Sequence, residues 1–88
     1  MIKVEIQMFG ALKKFSEDGV VELELKEPMN LGEVRTALIT KLNNQFHDES
    51  IKTLINTSAF GNENEVLEDD AIIKASAQLA LLPPVCGG

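Results

Sequence analysis

The sequence predicts a two-layer α+β domain, a mixed sheet with one main helix packed on one of its faces. Three observations predict it. Two apolar–polar alternating runs lie near the start, a helical stripe with its own start signals follows, and short strand-like runs separated by turns fill the rest. At 88 residues the chain makes one domain with a single core. Four Phe and no Trp or Tyr leave that core to Leu, Ile, Val and Met.

Ile2, Val4, Ile6 and Met8 fall on one face of the first run and Lys3, Glu5 and Gln7 on the other, as in a half-buried strand over Ile2 to Phe9. Gly10 marks a loop, and Ala11 to Asp18 reads as a short helical turn or a connection. Val21, Leu23 and Leu25 alternate with Glu22, Glu24 and Lys26, which makes Val20 to Lys26 the antiparallel partner of the first strand. Pro28 ends that strand because it has no N–H to donate to a ladder. Asn30 and Glu33 have the spacing of a capping box, with Met29 and Val34 placed as a hydrophobic staple. Leu31, Val34, Leu38 and Leu42 then form one apolar stripe, which predicts a helix over Leu31 to Asn44.

Gln45 to Ser50 reads as loop and Thr53 to Phe60 as a third strand. Gly61-Asn62-Glu63-Asn64 is a turn across which Glu65 to Leu67 can pair back. Glu68-Asp69-Asp70 reads as an acidic loop, and Ala71-Ile72-Ile73 fits no single period. Gln78 to Leu82 is the last strand, and its four successive apolar residues suit coverage on both faces. Strand, strand, helix, strand, short strand, strand is the order of the ubiquitin-like β-grasp roll.

After Leu82 the character changes. Pro83-Pro84 continues neither a helix nor a central strand and favours an extended course. Residues 1–82 are therefore expected to be the folded domain and 83–88 an extended tail, which at ~3.3 Å per residue spans about 20 Å. Gly87-Gly88 has no side chains to obstruct a narrow channel. Its terminal carboxylate is the group this arm displays. Activated as an acyl-adenylate, that carboxylate becomes an electrophile at which sulfur can replace oxygen. The bland alternative is an inert, unstructured end.

The string Leu81-Leu82-Pro83-Pro84-Val85-Cys86-Gly87-Gly88, together with Val4 to Gly10, resembles the small subunit of molybdopterin synthase, in the family shared with the thiamine sulfur carrier. The resemblance implies that Gly88 is adenylated by a ubiquitin-activating-type enzyme using ATP and then thiocarboxylated. It implies that Pro83, Pro84, Val85, Cys86 and Gly87 lie in a channel of the synthase large subunit within a heterotetramer. There the sulfur would go into the dithiolene of molybdopterin, made from precursor Z. The catalytic side chains would belong to the large subunit, and this chain would bind no cofactor. The Pro-Pro pair favours the molybdopterin branch over the thiamine branch. Lys74 to Gln78 departs from the family's Gly-Asp-Glu-like turn, and Cys86 stands where Ala, Ser or Thr is usual.

Other features point elsewhere or nowhere. A net charge of −6 argues against nucleic acid and anionic membranes as partners and suits a basic protein surface. No apolar run reaches a membrane span and no leader pattern is visible, so a cytoplasmic location is expected. Cys86 is the one cysteine, and no basic residue flanks it to favour a thiolate, so a small-residue filler is the simpler account. His47 reads as a surface residue, and Glu63, Glu65, Glu68, Asp69 and Asp70 as a solvated face without calcium-loop spacing. Leu81, Leu82 and Phe60, with Val66, are candidates for a partner face, or are core; sequence alone does not separate the two. A ubiquitin-like modifier conjugated to other proteins would use the same tail.

Overall fold

The computed structural model describes residues 1–16 and 18–83. The chain runs β1 (Ile2–Met8), a 3-10 helix (Gly10–Phe15), β2 (Val20–Leu25), β3 (Met29–Asn30), α1 (Leu31–Phe46), α2 (Ser50–Thr57), β4 (Ala59–Gly61), β5 (Val66–Leu67), β6 (Ile72–Ile73) and β7 (Ala77–Leu82). Among the described residues five strands form a mixed sheet in the order β2-β1-β7-β4-β5, and β3 pairs with β6 beside it. β1 and β7 are parallel at the centre, and the other neighbours in the sheet are antiparallel. With α1 packed across one face, this is the ubiquitin-like β-grasp.

The alternation read in β1 and β2 sets the core. Val4, Ile6 and Met8 face inward with Val21, Leu23 and Leu25. The α1 stripe of Leu31, Val34, Leu38 and Leu42 covers them, and all four side chains are buried. α1 begins where its cap predicts. The Glu33 N–H donates to Asn30 Oδ1 at 2.8 Å, and the Asn30 N–H donates to Glu33 Oε1 at 3.2 Å. The helix runs past Asn44 to Phe46, whose ring meets Phe15 edge-on at 5.4 Å between centroids. It ends at His47 in a left-handed conformation, with the His47 N–H donating to the Asn43 carbonyl.

The third strand is not where the sequence pattern puts it. Ser50–Thr57 is helical, and β4 is limited to Ala59–Gly61. Ile51 and Ile55 are one turn apart and both fully buried, so a helical face wins over the strand preference of Ile and Thr. Asp48 starts this helix: its Oδ1 accepts the Ser50 N–H at 2.8 Å and the Ser50 hydroxyl at 2.7 Å. Those two bonds, the hydroxyl's first and the N–H's second, hold the Asp48 carboxyl below its ordinary pKa. Ile72-Ile73 resolves into β6, which pairs with Met29 and Asn30. Thus Met29 and Asn30 are ladder residues as well as staple and cap.

Candidate functional site

β7 carries the chain from the sheet centre to its last described residue. Ladders to β1 on one side and β4 on the other hold it. Its side chains alternate: Leu79 and Leu81 are buried, while Gln78 and Leu82 are exposed and Ala80 is half-buried. The expected coverage on both faces is therefore corrected to one. The apolar run reflects ladders on both edges of β7, with the helix layer on one face and the other face open.

Register organises the open face. Val20, Gln7, Ala80, Gly61 and Val66 are successive cross-strand partners over all five strands of the sheet. Leu82 pairs with Ala59 in the next row, and its Cδ1 lies 3.8 Å from the point a Cβ on Gly61 would occupy. Val20, Val66 and Leu82 are exposed at 41%, 62% and 38%. Toward the other end of the sheet the face turns polar, with Gln78, Glu5 and Glu22 in register. An apolar patch of Leu82, Ala80 and Val66 thus lies where β7 ends, with exposed Gln7 between it and Val20 and carboxylates beyond. Small Ala59, Ala80 and Gly61 keep it shallow, so it suits the flat surface of another protein.

Of the side chains expected at a partner face, Leu82 and Val66 lie on this patch. Phe60 and Leu81 do not: both are fully buried, because each sits one residue out of phase with the open face. Pro83 is half-buried. Pro84, Val85, Cys86, Gly87 and Gly88 lie outside the described residues. His47 is an exposed helix cap. Among the described residues, no group of three His, Cys, Asp or Glu side chains is placed to hold a metal, and no helix is long and apolar enough to cross a membrane.

Arg35 is the residue that sequence reasoning passed over. Its guanidinium Nη1 donates to the carbonyls of Ile55 and, at 2.7 Å, Ser58 at the end of α2, while Nη2 donates to Asp69 Oδ1 at 2.7 Å. The guanidinium carbon also lies 5.0 Å from the centre of the Phe60 ring. One side chain thereby joins α1, the last carbonyls of α2, the start of β4 and the acidic loop. That loop is more than a solvated face, since the Asp69 and Ala71 carbonyls accept the N–H groups of Gly32 and Leu31. No local motif marks it, because α1 also carries Glu33 and Lys41 and the partners of Arg35 lie in distant segments. β4 pairs with the end of β7, so this clamp supports the strand beside the patch.

Fold and patch define a class: a small single-domain β-grasp protein whose chain leaves the sheet beside an exposed apolar patch. Residues 6–88 match the ThiS family, and the chain belongs to it. It is 37% identical over 82 residues to the molybdopterin synthase sulfur carrier subunit of Synechococcus elongatus, covering 91% of this chain and 90% of that one. Among solved structures it is similar to small archaeal modifier protein 1 of Haloferax volcanii, with a TM-score of 0.69 and 19% identity over 97% of this chain and 100% of the other. It is also similar to a chain of the complex of subunits 1 and 2 of the molybdopterin-converting factor of Helicobacter pylori. That match has a TM-score of 0.61 and 24% identity over 99% of this chain and 100% of the other.

Proposed function

We propose that this protein is the sulfur-carrier subunit of a molybdopterin synthase and that residues 83–88 are its working tail. The observation that carries the reading is the 37% identity, over nine-tenths of both chains, to a molybdopterin synthase sulfur carrier subunit. The Pro83-Pro84-Val85-Cys86-Gly87-Gly88 ending is the chemistry it needs. An adenylating enzyme joins the Gly88 carboxylate to AMP and releases pyrophosphate from ATP. A sulfur nucleophile displaces AMP and leaves a thiocarboxylate. In the partner's active site that sulfur passes to the substrate carbon, and an oxygen from water restores the carboxylate. The carrier binds no cofactor, works in the cytoplasm, and contributes reach and presentation rather than acid–base groups.

The large subunit takes the open sheet face around Leu82, Ala80 and Val66, next to the tail's point of departure. The Helicobacter pylori complex supports pairing with a second subunit in proteins of this fold. Reconstitution tests the reading: carrier, synthase large subunit, adenylating enzyme, ATP and a sulfur source should convert the pyranopterin precursor to dithiolene product. If the chain supports formation of the thiamine thiazole and no dithiolene product, the pathway assignment is wrong. A modifier role has its own support in the likeness to small archaeal modifier protein 1. It predicts lysine-linked conjugates that survive denaturing electrophoresis.

A further inference from the structure

We infer that Gly10 is a positioning residue for the tail: its bare Cα is the seat on which the Pro83 ring rests, and this seat directs the chain as it leaves β7. The inference rests on the carrier reading, since it gives the tail's direction a purpose. β1 and β7 are parallel, with Met8 opposite Leu81. The same register carried two residues on sets Gly10 opposite Pro83, so the two strands end side by side. Gly10 has φ +59, a left-handed conformation that glycine adopts freely. It opens the 3-10 helix, which Leu12 and Phe15 anchor in the core, and the Leu12 N–H donates to the Phe9 carbonyl at 3.1 Å. The seat is therefore fixed to the body of the domain.

A Cβ on Gly10 would lie 3.0 Å from Pro83 Cγ and 4.0 Å from its Cδ. The pyrrolidine ring is rigid and carries the backbone with it, so it cannot swing aside as a long side chain does. A Cβ at position 10 therefore presses on Pro83, the residue from which the tail starts. The reacting carboxylate of Gly88 lies five residues further on. Small misplacements of reacting groups lower rates steeply.

The test is a double-mutant cycle of Gly10→Ala and Pro83→Ala, read as kcat/KM for ATP-dependent adenylation of Gly88. Gly10→Ala should lower it about tenfold. Conformational strain at position 10 is the same whether residue 83 is Pro or Ala, so coupling between the sites isolates the contact. The double variant should exceed the product of the single effects by about threefold or more. Gly10→Asn, whose residue tolerates the left-handed region, repeats the cycle if Gly10→Ala does not fold. In the unsubstituted protein, a nuclear Overhauser contact should join the Gly10 α-protons to the Pro83 ring. Strictly multiplicative single effects, or absence of that contact, overturn the inference while leaving the carrier reading intact. Failure of the unsubstituted chain to be adenylated overturns the carrier reading and the inference with it.

Discussion

Replacing Arg35 by Met removes the clamp while keeping a long apolar stem at a helical position. Two carbonyls at the end of α2, those of Ile55 and Ser58, lose a charged donor. Hydrogen bonds to charged groups contribute about 1.5–3 kcal/mol each, and taking the lower figure for both gives ~3 kcal/mol. The contact with the Phe60 ring adds about 0.5–1 kcal/mol. Asp69 is more than half exposed, so its pairing with Arg35 adds about 0.5 kcal/mol after solvent screening. Arg35→Met should therefore destabilise the fold by ~4 kcal/mol, a large share of the total for a domain this size. Urea unfolding measures it as a fall in midpoint at unchanged slope. Asp69→Asn should cost under about 1 kcal/mol in the same assay. A loss below about 1 kcal/mol for Arg35→Met, or equal losses for the two variants, refutes the assignment of the energy to the α2 carbonyls.

The remaining expectations concern the patch, the core and pH. Leu82→Asp should weaken large-subunit binding at least about tenfold in titration calorimetry with little change in melting temperature, because a charge at the centre of an apolar contact is desolvated. Phe60→Ala should instead cost about 3–5 kcal/mol of stability, as a large buried side chain whose cavity collapses only in part. Folding favours ionised Asp48, so its stabilising contribution is present above the ordinary carboxylate pKa and is lost as pH falls through the lower folded value. The stability difference between the protein and Asp48→Ala should accordingly shrink on acidification, seen in melting curves from about pH 5 to pH 2.

Local signals made part of this fold legible. Asn30 and Glu33 announce α1, and the alternation from Ile2 to Leu25 states both strands and their inward face. Misreadings arise where distant partners decide. Ile51, Leu54 and Ile55 suit strand and helix alike; a buried site for Ile51 and Ile55 and an arginine from α1 on the last carbonyls make the segment helical. Asp48 two residues before Ser50 was a local start signal for it. α1 extends to Phe46 because Phe15, thirty-one positions earlier, offers a ring. At the site, the sequence string at the C-terminus is what points to the proposed sulfur chemistry. The patch needed register: Leu82 and Leu81 are neighbours in sequence and face opposite sides of the sheet. Arg35 has no motif at all, since its partners come from three separate segments.

In the proposed role, the C-terminal carboxylate is exchanged for a thiocarboxylate. Intact-mass measurement after incubation with ATP, the adenylating enzyme and a sulfur source tests it most directly. A sulfur carrier should gain the mass of one oxygen replaced by sulfur, localised to Gly88 and absent from a folded variant lacking that residue. An unchanged mass, under conditions that charge a known carrier with its own activating enzyme, would contradict it.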